Sequence, residues 1–410
     1  MAEAGRIRIA QLCCGVLVVG LIGLAATRNV GAVAQERQDP LAEPFRGVTT
    51  HGNVITGLFP IRATGVSTAP VRAAADTFLA ALSPEQRAKT AFPADDIEWR
   101  RWNNIHRAAR EGVSFEEMSE AQRASATALL RASLSAKGLE KSRAVMRLNG
   151  HLAELLDRPG EYGEGLYWIT VMGEPSATEP WGWQLDGHHL VINYFVLGDQ
   201  VVMTPTFMGS EPVSATTGRY AGTVVLQDEE WKGLALMESL DATQRVKAMI
   251  GAEKTRNNAL SQAYRDNLVL DYAGIPAREL TPVQRSLLAE LIAEYVGNMR
   301  DGHARVRMEE ITAHLDDTYF AWIGKVGPEE VFYYRVQSPV ILIEFDHQTP
   351  VALEGPRVPT RSHVHTVVRT PNGNDYGKDL LRRHYERHRN DPEHGHAHDE
   401  PATGTAAHRH

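Results

Sequence analysis

Four short segments carry the same signal for the beginning of a helix, and they constrain the fold more than any other feature of the sequence. Each has a hydrophobic residue, then Ser, Asp or Thr, and then Gln three positions further on. In such a capping box the first polar side chain accepts a hydrogen bond from a backbone amide in the first turn, and the Gln side chain bonds back to the capping residue. The segments are 82–87, 118–123, 240–245 and 280–285. We therefore predict four helices with these starts.

The four caps form two similar pairs. Ser83 and Ser119 are 36 positions apart, and Asp241 and Thr281 are 40 positions apart. Residues 112–119 also match residues 274–281 at an offset of 162. After each pair come an aromatic run that ends in glycine, further β-rich runs and a closing strand, which we place at 201–207 and 363–369. This shared order predicts an internal duplication.

The predicted fold class is α+β, with two tandem pseudo-equivalent repeats that each have two or three helices followed by an antiparallel β-meander. Residues 71–215 form repeat one and residues 216–390 form repeat two. Ser119 is then equivalent to Thr281, and Trp183 lies near the position of Tyr334. Some strands are apolar on both faces, so we expect the sheet to be covered on both sides.

Residues 1–34 have the pattern of a signal peptide. Two arginines precede a weakly polar to apolar run over 12–26, and Ala32-Val33-Ala34 provides the small-x-small cleavage pattern. An uncleaved anchor is the alternative, although a bilayer-spanning helix needs about 20 apolar residues. Cys13 and Cys14 both lie in this segment, so the mature chain has no cysteine and needs no disulfide. We expect an exported protein, periplasmic or extracellular, without a stable membrane span after cleavage.

The remaining terminal segments are polar. Residues 35–70 are predicted to form an extended lead-in, and residues 391–410 are predicted to be a disordered, histidine-rich tail. The net charge of −8, with no basic run outside the tail, argues against nucleic acid as a partner.

Histidines provide the main evidence for a functional site. His363 and His365 alternate along a predicted strand, so both point to one face about 6.5–7 Å apart. Two imidazoles in this arrangement can bind one metal ion at roughly 2.0–2.1 Å from each nitrogen. His188 or His189 is the predicted third ligand; only one can join, because adjacent strand residues face opposite ways. The alternative is that all these histidines form only structural hydrogen bonds.

Three charged residues lie close to this histidine pair in the predicted sheet. Glu344 and Asp346 share one face at the end of a neighbouring strand, as metal ligands, as groups that orient the ligands, or as a general base. Arg369 ends the strand of His363 and is predicted to bind an anionic group of a substrate.

A last helix adds another candidate ligand. His384 and His388 are four residues apart and share a helix face, so we include His384 among the possible metal ligands. His388 is better explained as a cation at a helix C-terminus, where it interacts favourably with the helix dipole.

Several segments form a specific combination when taken together. They are 82–88, Arg101-Trp102-Asn103, 181–189, 363–369 and 375–385. With them the chain resembles the bacterial domain-of-unknown-function family numbered 3500, from about residue 71 to residue 390. The resemblance implies the extent of the fold and export of the protein. It implies no mechanism, because that family has no established activity.

The sequence thus favours a metal-dependent enzyme of the cell envelope, most plausibly a hydrolase, with a histidine site between the two repeats. The expected cofactor is a divalent metal ion, Zn²⁺ or Cu²⁺, and the expected partner is a small molecule or an anionic substrate. The alternative is a non-catalytic metal-handling or small-ligand-binding envelope protein.

Cleavage of the signal peptide predicts that the mature protein begins near Gln35. Mass spectrometry of the soluble protein should show a chain that lacks residues 1–34. A soluble chain that keeps this segment intact would contradict the prediction.

Overall fold

The computed structural model describes residues 39–389, so the predicted signal peptide (1–34) and the whole predicted tail (391–410) lie outside the described residues. The α-helices in this part are α1 (Ala69–Ala81), α2 (Pro84–Thr90), α3 (Glu120–Ser133), α4 (Ala136–Leu156), α5 (Gln227–Ser239), α6 (Ala242–Ala248), α7 (Pro282–Val296), α8 (Asp301–Thr312) and α9 (Lys378–Arg389). Within residues 39–389, no helix is both long and apolar enough to cross a bilayer.

The strands form one large mixed sheet. They are β1 (Ala91–Phe92), β2 (Val113–Ser114), β3 (Tyr167–Met172), β4 (Trp181–Gly187), β5 (Leu190–Leu197), β6 (Gln200–Val202), β7 (Thr206–Ser210), β8 (Met249–Gly251), β9 (Ile275–Pro276), β10 (Tyr319–Gly324), β11 (Phe332–Gln337), β12 (Leu342–Gln348) and β13 (Thr360–Arg369). The strand order is β1-β3-β4-β5-β7-β13-β12-β11-β10-β8, with β2 on β3, β6 on β5 and β9 on β10. The fold is therefore α+β, as expected.

All four predicted helix starts are confirmed. Ser83, Ser119, Asp241 and Thr281 are the caps of α2, α3, α6 and α7, and each forms a complete capping box with the Gln three residues later. The capping glutamines also bond to each other within a pair, since the amides of α2 and α3 meet at 2.7 Å and those of α6 and α7 meet at 2.9 Å. Each box therefore also fixes its helix against the partner helix.

The strand order has five strands on each side of its centre, the pair formed by β7 and β13, counting β7 on one side and β13 on the other. At this centre β7 pairs antiparallel with β13, and Thr206 lies opposite Val368, a residue 162 positions further on. The helices meet in a similar way, because Leu134, between α3 and α4, forms an antiparallel bridge with Met299, between α7 and α8.

One predicted strand is divided in the structure. The closing strand expected over 201–207 forms two pieces, β6 and β7, and Thr204 lies between them. Because of this break, β6 pairs with β5 alone, whereas β7 pairs with both β5 and β13. The hydrophobic pattern alone does not show this change of partner.

The two faces of the sheet are covered by different kinds of structure. On one face, aromatic side chains pack against helices: the Trp183 indole donates to Ser133 of α3, and the Tyr334 hydroxyl lies 2.5 Å from that of Tyr295 in α7. On the other face, polar side chains bond to irregular segments; Gln184 donates to the Trp99 carbonyl and Gln337 to that of Leu270. The sheet is therefore buried on both sides, with one apolar face and one polar face.

Gly138 provides a test of the contact between the helices. A Cβ atom at this position in α4 would lie 2.2 Å from the carbonyl oxygen of Asn298. Because the obstacle is backbone, Gly138→Ala should lower the free energy of unfolding by about 1–3 kcal/mol, measured by denaturant unfolding. Gly160→Ala is the matched control, because no atom lies within 4 Å of its added Cβ. Equal midpoints for the two variants would contradict the prediction.

Candidate metal centre

Three histidine side chains meet at the centre of the polar face. The Nε2 atom of His189 lies 3.1 Å from that of His365 and 3.3 Å from that of His363, and the last two are 3.0 Å apart. The three residues are buried, with exposed fractions of 5, 7 and 2% for His189, His365 and His363. We call them the histidine triad. About 174 residues separate His189 from the other two, and the sheet brings them together.

Local backbone structure places each ring. His363 and His365 alternate along β13 and face the same way, as the strand period requires. His188 and His189 do not enter a strand, which corrects the expectation; they form the two-residue turn between β4 and β5. His189 has a φ angle of 61°, a left-handed conformation that non-glycine residues seldom adopt.

Gly209 on β7 makes room for the triad. It pairs with His365 and donates its amide to the His189 carbonyl at 2.8 Å. A Cβ atom here would lie 3.1 Å from His365 Cδ2 and 3.2 Å from His189 Cδ2. The missing side chain therefore lets rings from opposite sides of β7 approach each other.

The protonation of the triad follows from its surroundings. His363 Nδ1 lies 2.8 Å from the Thr349 carbonyl, which only accepts hydrogen bonds. Nδ1 therefore carries the proton, and Nε2 of the neutral ring presents a lone pair to the other two histidines. Burial holds the pKa of His189 and His365 well below the usual value, so these rings are neutral. Neutral imidazole is the form that binds metal ions.

A positive group between the three imidazole nitrogens would relieve their close approach. An N–H of one neutral ring can bond to the lone pair of another, but among three neutral rings at least one pair of Nε2 atoms must present two lone pairs or two N–H groups to each other. Nitrogens at 2.0–2.1 Å from a tetrahedral ion are separated by about 3.3–3.4 Å, slightly more than the separations in the triad. The triad has the chemistry and the size to hold one metal ion.

Glu211 supports the triad, and the sequence analysis does not find it. It follows β7 directly, is 3% exposed, and its Oε2 lies 3.4 Å from His363 Nδ1. Its carboxylate also accepts hydrogen bonds from the amides of residues 351–353 at 2.9–3.1 Å. A carboxylate behind a histidine fixes the ring orientation and increases its basicity. No sequence motif marks this residue.

His188 lies beside the triad but does not belong to it. Its Nδ1 is 2.8 Å from the Asn149 side-chain oxygen, and its ring stacks on His189 at 4.0 Å between centroids. Tyr162 and His106 contact the other side of the ring, both at 5.4 Å between centroids. The structure therefore selects His189 as the histidine that joins the pair on β13, and it makes His188 a packing neighbour.

Glu344 and Asp346 lie on the strand next to the triad but do not join it. Glu344 accepts hydrogen bonds from the amides of Leu260 and Ser261 and from the Tyr333 hydroxyl at 2.7–3.1 Å. Asp346 pairs with Lys254 at 3.0 Å. Burial raises the pKa of Asp346 to about 6, against the lowering effect of that lysine. Both carboxylates bind the segment 254–261, which corrects their expected role as base or ligand.

Arg369 also has a different role from the expected one. It is fully buried, and it donates to the carbonyls of Ser261 and Gln262 and to the carboxylates of Asp266 and Asp375 at 2.6–3.0 Å. These four acceptors occupy the guanidinium. The residue holds the covering segments on the sheet and is not at a rim where a substrate binds.

The contacts of His384 involve residues outside the triad. Its Nε2 lies 3.2 Å from Glu179 in the loop between β3 and β4, and its ring is 4.3 Å from that of the exposed His388. The ligand atoms of these three residues lie within 4.8 Å of one another. They form a second group at the surface that can hold a metal ion.

The fold and the triad define an α+β protein with a buried three-histidine centre on the polar face of one sheet. The chain belongs to the family described as protein of unknown function (DUF3500), whose model matches residues 64–378. No curated protein and no solved structure matches the chain. Family membership therefore agrees with the resemblance in the sequence and assigns no activity.

The contacts of Arg369 predict that its replacement lowers the stability of the protein. Arg369→Met leaves Asp266 and Asp375 buried without their shared cation, which should lower the free energy of unfolding by about 3–5 kcal/mol. Denaturant unfolding measures the change. Arg131→Met, at an exposed arginine on α3, is the control and should change stability little. An Arg369→Met protein with unchanged stability would contradict this assignment.

Proposed function

We propose that the protein binds one divalent transition-metal ion through Nε2 of His189, His363 and His365. The convergence of these three atoms within 3.0–3.3 Å carries the proposal. The hydrogen bond from His363 Nδ1 to Thr349 supports it, because it directs the lone pair toward the centre. Imidazole ligands suit Zn²⁺ and Cu²⁺, and we propose one of these ions.

A centre with three protein ligands differs from a structural zinc site. Structural sites have four protein ligands, whereas catalytic sites use three and leave a position for water or substrate. Such an ion lowers the pKa of a water molecule and polarises carbonyl or phosphoryl groups. We therefore propose a metal-dependent hydrolase that acts on a small, anionic substrate outside the cytoplasm. The contacts of Glu344 and Asp346 with the segment 254–261 argue against either carboxylate as the catalytic base.

A second candidate function also has structural support. The triad is at most 7% exposed, and the nearby charged groups are bound to other parts of the protein. Both features fit a non-catalytic protein that stores or transfers a metal ion. In this case Glu179, His384 and His388 provide a second, more accessible site.

The arrangement of the sheet further supports our proposal that the chain arose by duplication. The capping boxes, the offset of 162 at the central strand pair and the bridge between Leu134 and Met299 all relate the same two halves. A pseudo-two-fold axis near Thr206 and Val368 accounts for them. The triad then lies close to the axis and uses ligands from both halves.

Metal analysis tests the proposed centre. After deletion of residues 391–410 and exposure to Zn²⁺ or Cu²⁺, the protein should keep about one tightly bound ion per chain. His189→Ala and His363→Ala should each lose it, while Glu211→Gln should weaken binding by about 10–100-fold. His51→Ala is the control, because the His51 side chain is 80% exposed and lies outside the triad. Full metal content in His363→Ala would overturn the proposed centre.

An activity screen separates the two candidate functions. Chromogenic carboxylate esters and phosphate esters should be hydrolysed by the metal-loaded protein and not by its chelated form or by His189→Ala. A protein that binds metal in the triad but hydrolyses none of them would favour metal storage or transfer.

A further inference from the structure

A second site on the molecule has the features of a ligand pocket. A cavity of about 650 Å³ opens between α3, α4 and the segment 159–165. This volume lies within the range of small-molecule sites. It is a different site from the histidine triad, since none of the three histidines lines it.

The charge of this cavity is opposite to that of the protein. The chain has a net charge of −8, yet four arginines and only two glutamates line the cavity. The residues are Arg123, Arg143, Arg147, Arg219, Glu116 and Glu164. Arg147 pairs with Glu140, and Arg219 pairs with Glu154 and Glu164. Arg123 and Arg143 have no carboxylate partner within residues 39–389, so the cavity keeps an excess of positive charge that attracts anions.

Two of these arginines have hydrogen-bonding capacity that the described residues do not use. Within residues 39–389, the Arg143 side chain has no hydrogen-bond or ion-pair partner. Arg143 lies four residues before Arg147 on the same face of α4. The Nε atom of Arg147 is buried and has no acceptor, although its guanidinium also contacts Glu140. A buried donor without an acceptor is costly. An anionic ligand between the two side chains would give the Arg143 guanidinium an acceptor.

The floor of the cavity is apolar. Phe115, Leu130 and Met146 line it and are 2–8% exposed, so only part of each side chain faces the opening. A ligand with an apolar end would cover this part, while its charged end meets the arginines. Arginine binds carboxylate and phosphate groups in the same bidentate way.

We propose that this cavity binds a small organic anion that has a carboxylate or phosphate at one end and an apolar group at the other. Arg143 and Arg147 bind the anion, and Phe115, Leu130 and Met146 contact the apolar group. The site needs no metal ion, so it stands independently of the function proposed for the triad.

Calorimetric titration with phenyl phosphate and phenylacetate tests the proposal and compares the two headgroups. At least one probe should bind with a dissociation constant of about 1 mM or tighter. The double variant Arg143→Met/Arg147→Met should bind it at least about tenfold more weakly, because charge-assisted hydrogen bonds are lost. Arg131→Met, an exposed arginine on α3 outside this cavity, should bind as the unchanged protein does.

Further probes define the outcomes that overturn the proposal. Phenol lacks the charge and inorganic phosphate lacks the apolar group, so both should bind more weakly than phenyl phosphate. Equal binding of phenol would remove the role of the arginines, and failure of both aromatic anions to bind would remove the site. A double variant that melts at the normal temperature and binds normally would also overturn it. His363→Ala should bind the probes normally, which separates this test from the metal centre.

Discussion

The buried polar face of the sheet is the constraint on which the rest of the structure depends. Glu344, Asp346 and Arg369 are charged, almost completely buried and placed on adjacent strands. Buried charges are tolerated only when each has partners, and helices cannot offer free backbone groups along their sides. The segment 254–262 is irregular and offers them, through the amides of residues 258–261 and the carbonyls of Ser261 and Gln262. Irregular chain therefore covers this face, while helices cover the apolar one.

The histidine triad depends on the same face but has an incomplete set of partners. Rings from the β4–β5 turn and from β13 meet across β7, and the absence of a side chain at Gly209 permits the contact. His363 is anchored by Thr349 and Glu211, whereas His365 Nδ1 is buried and has no hydrogen-bond partner in the part of the chain that the structure describes. The three Nε2 atoms face one another, and within residues 39–389 they contact no other hydrogen-bonding group. This is the arrangement that a cation completes.

The parts of the fold that local interactions determine could be predicted from the sequence. Each capping box involves residues at most three positions apart, and all four helix starts are correct. The alternation of His363 and His365 is likewise local. The turn at His188 and the division into β6 and β7 depend on which strand pairs with which, and hydrophobic pattern does not encode a change of partner. Glu211 could not be found, because its role exists only after β7 and the segment 349–353 have come together.

The incorrect expectations for Glu344, Asp346 and Arg369 share one physical cause. In the sequence, a charged residue with a structural role and one with a catalytic role look the same, because both are Asp, Glu or Arg near the end of a strand. Their partners distinguish them. Glu344 and Asp346 accept hydrogen bonds from backbone amides of the covering segment, and the guanidinium of Arg369 donates to four acceptors. The histidine nitrogens and Arg147 Nε are the opposite case, since they are buried without adequate partners. A native structure seldom leaves such groups unpaired, so these atoms support the two candidate sites that the geometry already indicates.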